Sequence, residues 1–292
     1  MAGDWHEGER AVQTRAGITD HARLRHGVRD SLPPNFMAFL AAQRFVVLAT
    51  REAGGRLWCS MVAGWPGFAT APGTRRVAID RRAFTDVSVL QHLAVDPRVG
   101  LLAFDPSTRR RIRVNGVTSV GADAVTIDLL ETFGNCQQYI QKRPASGPTP
   151  SVLDVAYAGD ALESRHTEWI TRADTCFLAS MHPRDGLDAS HRGGRPGFVH
   201  VRDERTLVFD DYPGNDMFQS LGNLTATPAA AMLFIDFETG ASLQVSGNAH
   251  VDWDAAESPT RRAVQFVTDR VIEKRPRQRW HWPVLEYSPV NP

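Results

Sequence analysis

The chain has 292 residues, about twice the length of a typical single domain, so two domains are expected. Thirty-three Lys and Arg balance thirty-three Asp and Glu. A net charge of zero argues against a dedicated nucleic-acid or anionic-membrane binder, because both need a clustered positive excess. A hydrophobic fraction of 42% excludes disordered and low-complexity classes.

Lys142 and Lys274 are the only lysines; every other basic residue is Arg. So uniform a bias reads as composition, and it discounts runs such as Arg109-Arg110-Arg111 as site markers. The opening residues, Met1 to Glu7, hold no apolar stretch of the signal-peptide kind, and no run of eighteen apolar residues occurs, so no spanning helix is expected. Cys59, Cys136 and Cys176 are too widely spaced for a disulfide framework or a metal knuckle, and no metal is expected. A reducing cytoplasm is the expected location.

In chain order, residues 1–35 read as a helical arm and Pro34 to Gln43 as a short helix. Phe45 to Thr50 is an apolar run closed by turn signals at Glu52 to Gly55. A strand running into the Gly64-Trp65-Pro66-Gly67-Phe68 bend follows, then a strand at Val77 to Ile79 and a helical stretch. Paired strands at Val99 to Phe104 and Ile112 to Asn115 come next. The Pro-rich segment 142–161 reads as a linker, and Leu162 to Ala173 as another short helix.

The pattern then returns. Gly194-Arg195-Pro196-Gly197-Phe198 repeats the first Pro-Gly bend, and Asp210 repeats Asp80, at an offset of 130. Asp236, Thr239, Val245 and Gly247 repeat Asp105, Thr108, Val114 and Gly116 at an offset of 131. A period that long means two copies of one domain rather than a solenoid. The second copy is read with strands at Thr175 to Ser180, Leu207 to Phe209, Ala230 to Ile235 and Leu243 to Ser246. An amphipathic helix is expected from Ala255 to Glu273, followed by a docking aromatic tail around Arg279-Trp280-His281-Trp282-Pro283. The fold class is therefore mainly β with flanking helices (α+β), as two tandem small barrels that close their sheet edges. The first barrel spans 36–141, the second 162–254, and the C-terminal helix and tail 255–292.

One copy carries a candidate anion site. Pro213-Gly214-Asn215 opens an expected helix from Asp216 to about Ala226 that bears Ser220 and Asn223, and a helix start of this kind presents free backbone N–H groups to a phosphate. Asp216 capping that helix is the alternative. Ser190-His191-Arg192-Gly193 on the preceding strand adds a hydroxyl and a guanidinium fork. The first copy has Ser60-Met61-Val62-Ala63 and Arg81-Arg82-Ala83-Phe84 at these places, so its cradle is lost and it is expected to serve as wall or lid, with Trp65 and the strand Arg111-Ile112-Arg113 at its edge.

These residues resemble the pyridoxamine 5′-phosphate oxidase-like family of FMN-binding split β-barrels, and its tandem-barrel bacterial members in particular. The resemblance rests on His6-Glu7-Gly8-Glu9 with Val12-Gln13, Arg113-Val114-Asn115-Gly116, Phe133-Gly134-Asn135-Cys136 with Tyr139-Ile140-Gln141, Ser190 to Phe198, Gly214-Asn215, Leu221-Gly222-Asn223-Leu224 and Leu233-Phe234-Ile235-Asp236. It implies FMN at the interface of an internal pseudo-dimer. Ser190, Arg192, Asn215, Ser220 and Asn223 are then phosphate and ribityl candidates, Phe198 and Val199 lie beside the ring, and Arg113, with Gln244 as its second-copy counterpart, and His191 contact the cofactor. Arg113, Cys136 and His191 are the catalytic candidates. The implied activity is FMN-dependent hydride transfer with a small organic substrate, with O2, NAD(P)H or an electron-transfer protein as second partner and a homodimer as the assembly. The alternative is a haem- or flavin-binding protein without turnover, in which His191 is the axial ligand; a structural partner without cofactor is a third reading. Gln137 replaces the family's usual Pro, and the Arg/Lys-rich signature and substrate-binding tail of vitamin B6 oxidases are missing, so pyridoxamine phosphate is not the expected substrate.

Overall fold

A computed structural model describes residues 4–255 and 257–292. Met1 to Gly3 of the expected arm and Ala256 of the expected C-terminal helix lie outside the described residues. The arm contains α1 (Glu7–Arg15) and α2 (His21–Arg25), and α3 (Pro34–Ala41) leads into the first copy. That copy runs β1 (Phe45–Arg51), β2 (Leu57–Ala63), β3 (Ala69–Gly73), β4 (Arg76–Asp80), α4 (Val87–Val95), β5 (Arg98–Asp105), β6 (Arg110–Val120) and β7 (Ala124–Gly134). After β8 (Leu153–Gly159) and α5 (Ser164–Arg172), the second copy runs β9 (Thr175–His182), β10 (Gly186–Gly193), β11 (Val199–Val201), β12 (Thr206–Asp210), α6 (Gln219–Ala226), β13 (Ala229–Ile235), β14 (Ser242–Asp252) and β15 (Ala263–Pro276).

The two sheets share one permutation. The first is ordered β2-β1-β5-β6-β7-β4-β3 and the second β10-β9-β13-β14-β15-β12-β11. All their pairings are antiparallel, and the duplicated strands fall where the repeat puts them. The molecule is thus mainly β, in two tandem domains with flanking helices. The sheets do not close, however: each path ends at two free edges, β2 and β3 or β10 and β11, so the closed barrels expected from short strand spacing are open sheets.

Three other expectations change. The segment expected to form a helix from Ala255 to Glu273 is mostly strand β15, the counterpart of β7. Val264, Phe266 and Thr268 turn inward while Val267 and Asp269 face out, a period of two that β-branched residues favour. Within the expected linker, β8 pairs with β15 and extends the second sheet. The helix expected from Asp216 starts three residues later, at Gln219, because Asp216 (φ 57°) and Phe218 (φ 55°) take left-handed backbone.

Each sheet has its own apolar core, one built on Leu48, Leu101 and Val114, the other on Leu178, Met232 and Val245. A third cluster lies between the sheets and draws on both copies: Phe45, Val47 and Phe104 meet Phe177, Ala179 and Leu233. Trp280 and Trp282 of the tail close this cluster. Contacts across the seam are reciprocal, β10 against β5 and β6, and β2 against β13 and β14, which gives the chain a pseudo-twofold arrangement. Gly100 permits a close approach: a Cβ there would stand 2.6 Å from the Leu187 carbonyl oxygen.

Phe177 is fully buried with its ring 5.4 Å from Phe104 and 6.4 Å from Phe45. Phe177→Ala is expected to cost about 3–5 kcal/mol of stability. Because the cluster is shared, both halves should lose stability together in thermal unfolding. Unfolding of the second half alone would show that the seam does not couple the two.

Candidate functional site

Strand alternation builds the site. On β6, Ile112 and Val114 enter the core of the first sheet, which sends Arg111, Arg113 and Asn115 to the seam. On β10, Leu187 and Ala189 enter the inter-sheet cluster. His191 lies on the same face and stacks on Phe104 at 4.8 Å. Where β6, β10 and the start of α6 converge there is a cleft.

Its chemistry is rich in donors. Arg111 donates to His191 Nδ1 and, at 3.8 Å, to Cys136 Sγ. Arg has no acceptor, so Nδ1 must accept and the His191 proton sits on Nε2. That Nε2 is buried without a partner, as are Arg113 Nε and Arg192 Nε. Burial, then the Arg111, Arg192 and Arg113 charges, hold His191 well below the usual histidine range, so the ring is neutral. Burial also lowers Arg111 and Arg113 to about 10, which leaves both charged at neutral pH. Arg113 reaches Gln219 Oε1 at 3.5 Å, and its nearest carboxylate, Asp188, is 4.0 Å away. Asp211, on the cleft wall, is already bonded to Arg262 at 3.0 Å. Asp210 and Asp216 line the cleft as well, and none of the three carboxylates pairs with Arg111, Arg113 or Arg192.

Helix α6 adds to this, because no side chain caps it; Asp216, the alternative cap, does not serve. Its counterpart α4 is capped by Asp86, which accepts from Ser88 N at 3.1 Å and pairs with the buried Lys274. At the pseudo-equivalent seam Gln244 donates to Ser60 Oγ at 2.7 Å and to the Cys59 carbonyl at 2.9 Å. On that side the Gln244 amide N–H is bonded within the protein, while its Oε1 is buried without a partner.

Of the site residues expected from sequence, Arg113, Cys136, His191 and Arg192 line the cleft, and so do Phe198, Asn215 and Ser220. Ser190 lies beneath, its Oγ accepting from Ser220 at 3.1 Å. Three expected residues are elsewhere. Val199 is 1% exposed in the core of the second sheet, because alternation along β11 points it inward. Asn223 lies nearly one turn further along the same face of α6, away from the cleft, where it donates to Asp188 at 2.6 Å and accepts from His6 at 3.0 Å. Gln244 is held at the pseudo-equivalent seam. Trp65, expected at the wall, is 60% exposed and stacks with Arg44. Arg111, expected only as part of the strand at the edge of the wall, also lines the cleft, whereas Gln219 and the tyrosine pair Tyr139 and Tyr212, whose rings meet at 5.2 Å at the cleft, were not among the expected site residues. The two-residue spacing of Arg111 and Arg113 on a strand was the available signal.

A second polar cavity lies behind α6, where Glu9, Glu131 and Asp188 gather with Asn115 and Asn223. Among the described residues one group of donors, His6, Glu7 and His182, lies within 4.8 Å. His6 Nδ1 accepts from the Gly8 and Glu9 amides and Nε2 is bonded to Asn223. Its ring stacks parallel on His182 at 4.1 Å, so the in-plane lone pairs of the two rings do not converge on one ion.

An antiparallel sheet doubled within one chain, with an arginine-lined cleft at the seam, defines a duplicated two-sheet protein. The family model described as pyridoxamine 5′-phosphate oxidase matches residues 32–153 and again 162–278. The chain belongs to the pyridoxamine 5′-phosphate oxidase family. No curated protein matches it. Similar solved structures include HupZ of Group A Streptococcus, at 11% identity over 38% of this chain and 91% of that chain, TM-score 0.31. General stress protein 26 of Bacillus anthracis is 14% identical over 41% of this chain and 95% of that chain, TM-score 0.28. The FAD binding protein of Mycobacterium smegmatis is 13% identical over 40% of this chain and 98% of that chain, TM-score 0.27.

Burial, reinforced by the Asp188 and Glu131 charges, pushes Glu9 up to about 8. Folding therefore takes up a proton at this group between the ordinary carboxylate range and about pH 8. The stability it contributes is complete at acid pH and is lost as pH rises through that window. Glu9→Gln keeps an acceptor for the His6 amide and should flatten the decline in thermal midpoint between pH 5 and pH 8, leaving the variant more stable than wild type at pH 9. Superimposable profiles would remove Glu9 as the cause.

Proposed function

We propose that this protein is an FMN-dependent oxidoreductase with one cofactor site per chain. The observation that carries the reading is a cleft with three unpartnered buried donors, Arg113 Nε, His191 Nε2 and Arg192 Nε, against one unpartnered acceptor, Asn135 Oδ1, beside an uncapped helix start. A phosphomonoester with a charge near −1.5 to −2 answers the surplus positive charge. An isoalloxazine ring edged with nitrogen and oxygen acceptors answers the remaining N–H groups. In this reading the first-turn amides of α6, Ser220 and Arg192 hold the phosphate. His191 donates through Nε2. Arg111 and Arg113 face the ring and stabilise negative charge on it.

When bound, the cofactor supplies hydride transfer at its N5 atom. The protein's own part is to hold His191 neutral, to keep two guanidinium groups charged in a buried seam, and to offer Tyr139 and Tyr212 at the cleft for a small organic substrate. O2, NAD(P)H or an electron-transfer protein completes the exchange of electrons. A haem reading is less well supported: the His191 nitrogen left free carries the proton, so it has no lone pair for iron while Arg111 occupies Nδ1.

The purified protein should show oxidised-flavin absorption bands and bind one FMN per chain in titration, because Asp86, Lys274 and Gln244 fill the pseudo-equivalent seam. A Soret band would overturn the reading, and two sites per chain would overturn the asymmetry. Arg192→Ala should weaken FMN binding by at least about tenfold. Arg82→Ala, at a guanidinium that pairs with Asp80 on the surface of the other copy, should leave it unchanged. Equal effects would refute the assignment of the phosphate to the second copy.

A further inference from the structure

The His6-Glu7-Gly8-Glu9 and Gln13 motif lies more than two hundred positions before α6 in the sequence, yet it is packed against that helix. Helices α1 and α6 meet at two glycines. A Cβ on Gly8 would stand 2.3 Å from the Gly222 carbonyl oxygen, and one on Gly222 would stand 2.6 Å from Glu9 Cα. Next to this crossing His6 Nε2 donates to Asn223 Oδ1, so the first turn of α1 is pinned to the third residue beyond Ser220.

Gln13 reaches further, to the turn that aims α6. It is 0% exposed, and its Nε2 donates at 3.0 Å to the carbonyl of Met217. Met217 stands between Asp216 and Phe218, the two left-handed residues that set the direction of the helix start. Non-glycine residues in that conformation cost free energy and persist only where the surroundings over-determine them. Gln13 is itself oriented, its Oε1 accepting from His21 Nδ1 at 2.7 Å, and the His21 carbonyl accepts from Trp5 Nε1 at 2.8 Å. The Met217 side chain is buried in an apolar cluster with Trp5, Val28 and Phe133. The turn is thus held from behind by the arm, at its carbonyl and at its side chain.

We propose that the N-terminal arm is the rear half of the anion site, with Gln13 as a positioning residue that fixes the Asp216–Phe218 turn and so the uncapped start of α6. The cleft in front of that helix start is where His191, 3% exposed, and Arg113, 7% exposed, present unpartnered buried nitrogens. The arm does not touch the ligand; it sets the geometry of the amides that do. This inference rests on the anionic-cofactor reading above, and it concerns only the phosphate end.

Riboflavin, which lacks the phosphate, separates positioning from general damage. Wild-type protein should bind FMN more tightly than riboflavin. Gln13→Leu should weaken FMN at least about tenfold and leave riboflavin within about twofold. Gly8→Ala, which forces α1 off Gly222, should give the same selective loss and serves if Gln13→Leu does not fold. Equal loss of both flavins, or no loss of FMN, would overturn the proposal. If wild-type protein binds neither flavin, the proposed function fails, and inorganic phosphate decides the inference alone. A phosphate-dependent rise in the thermal midpoint of wild type that the variant lacks supports it; the same rise in both, or none in wild type, overturns it.

Discussion

A buried guanidinium needs acceptors, and the seam between the two sheets holds two that lack a close carboxylate. Arg111 and Arg113 are driven there by the pleat of β6, since Ile112 and Val114 take the positions facing the first core. Their partners are a neutral imidazole, a thiol and an amide, with Asp188 at 4.0 Å from Arg113. Unpaired buried charge is among the more costly features a fold can retain. The neighbouring features act in the same direction: His191 gives up its own charge, α6 lacks an acidic cap, and the nearby Asp211 is taken by Arg262. An anionic ligand relieves all of these at once.

The duplication explains why the protein tolerates the cost on one side only. Both copies keep one strand permutation, so each builds a seam in which β6 or β14 of one copy meets β10 or β2 of the other. Where Arg113 faces the region of Ser190, Gln244 bonds directly to Ser60; where α6 is uncapped, α4 has Asp86 and its ion pair with Lys274. In a symmetric homodimer the two seams would be bound to the same sequence. Joined in one chain they vary independently, and here one has been closed with ordinary hydrogen bonds. The zero net charge of the chain is consistent with this, because an average over 292 residues is blind to charge gathered in one cleft.

Much of the fold was legible because the repeat gave two readings of several strands. The strands Val99 to Phe104 and Ala230 to Ile235 support each other, and both stand. Where the second copy was read without reference to the first, the reading failed: β15 was taken for a helix although its counterpart β7 is a strand. Sheet closure was illegible, because it depends on how edges meet rather than on local pattern. In the cleft, Arg113, His191, Arg192 and Ser220 are legible through local motifs, and Arg111 through its strand, although the Arg-rich composition left its own role unassigned. Asn223 shows a second limit. Helical spacing puts it on the same face as Ser220, but nearly one turn further from the helix start, so Ser220 meets Ser190 near the cleft while Asn223 meets Asp188 at the rear cavity.

The left-handed turn before Gln219 bears on how the site proposed on the second copy would rely on the opening residues of the chain. The α6 start cannot be stabilised by an acidic cap without competing with the anion it awaits. Its order has to come from behind, through contacts that add no negative charge at the front. A buried amide such as Gln13 meets this need: it is neutral, it donates to the one carbonyl between two left-handed residues, and its other end is already bonded. The acidic groups of the motif are kept on the far side of the glycine crossing, where burial raises Glu9 to about 8 and so holds it neutral at physiological pH. The helix start is thereby ordered from behind by a neutral amide, with the unpartnered donors of Arg113, His191 and Arg192 left in the cleft in front.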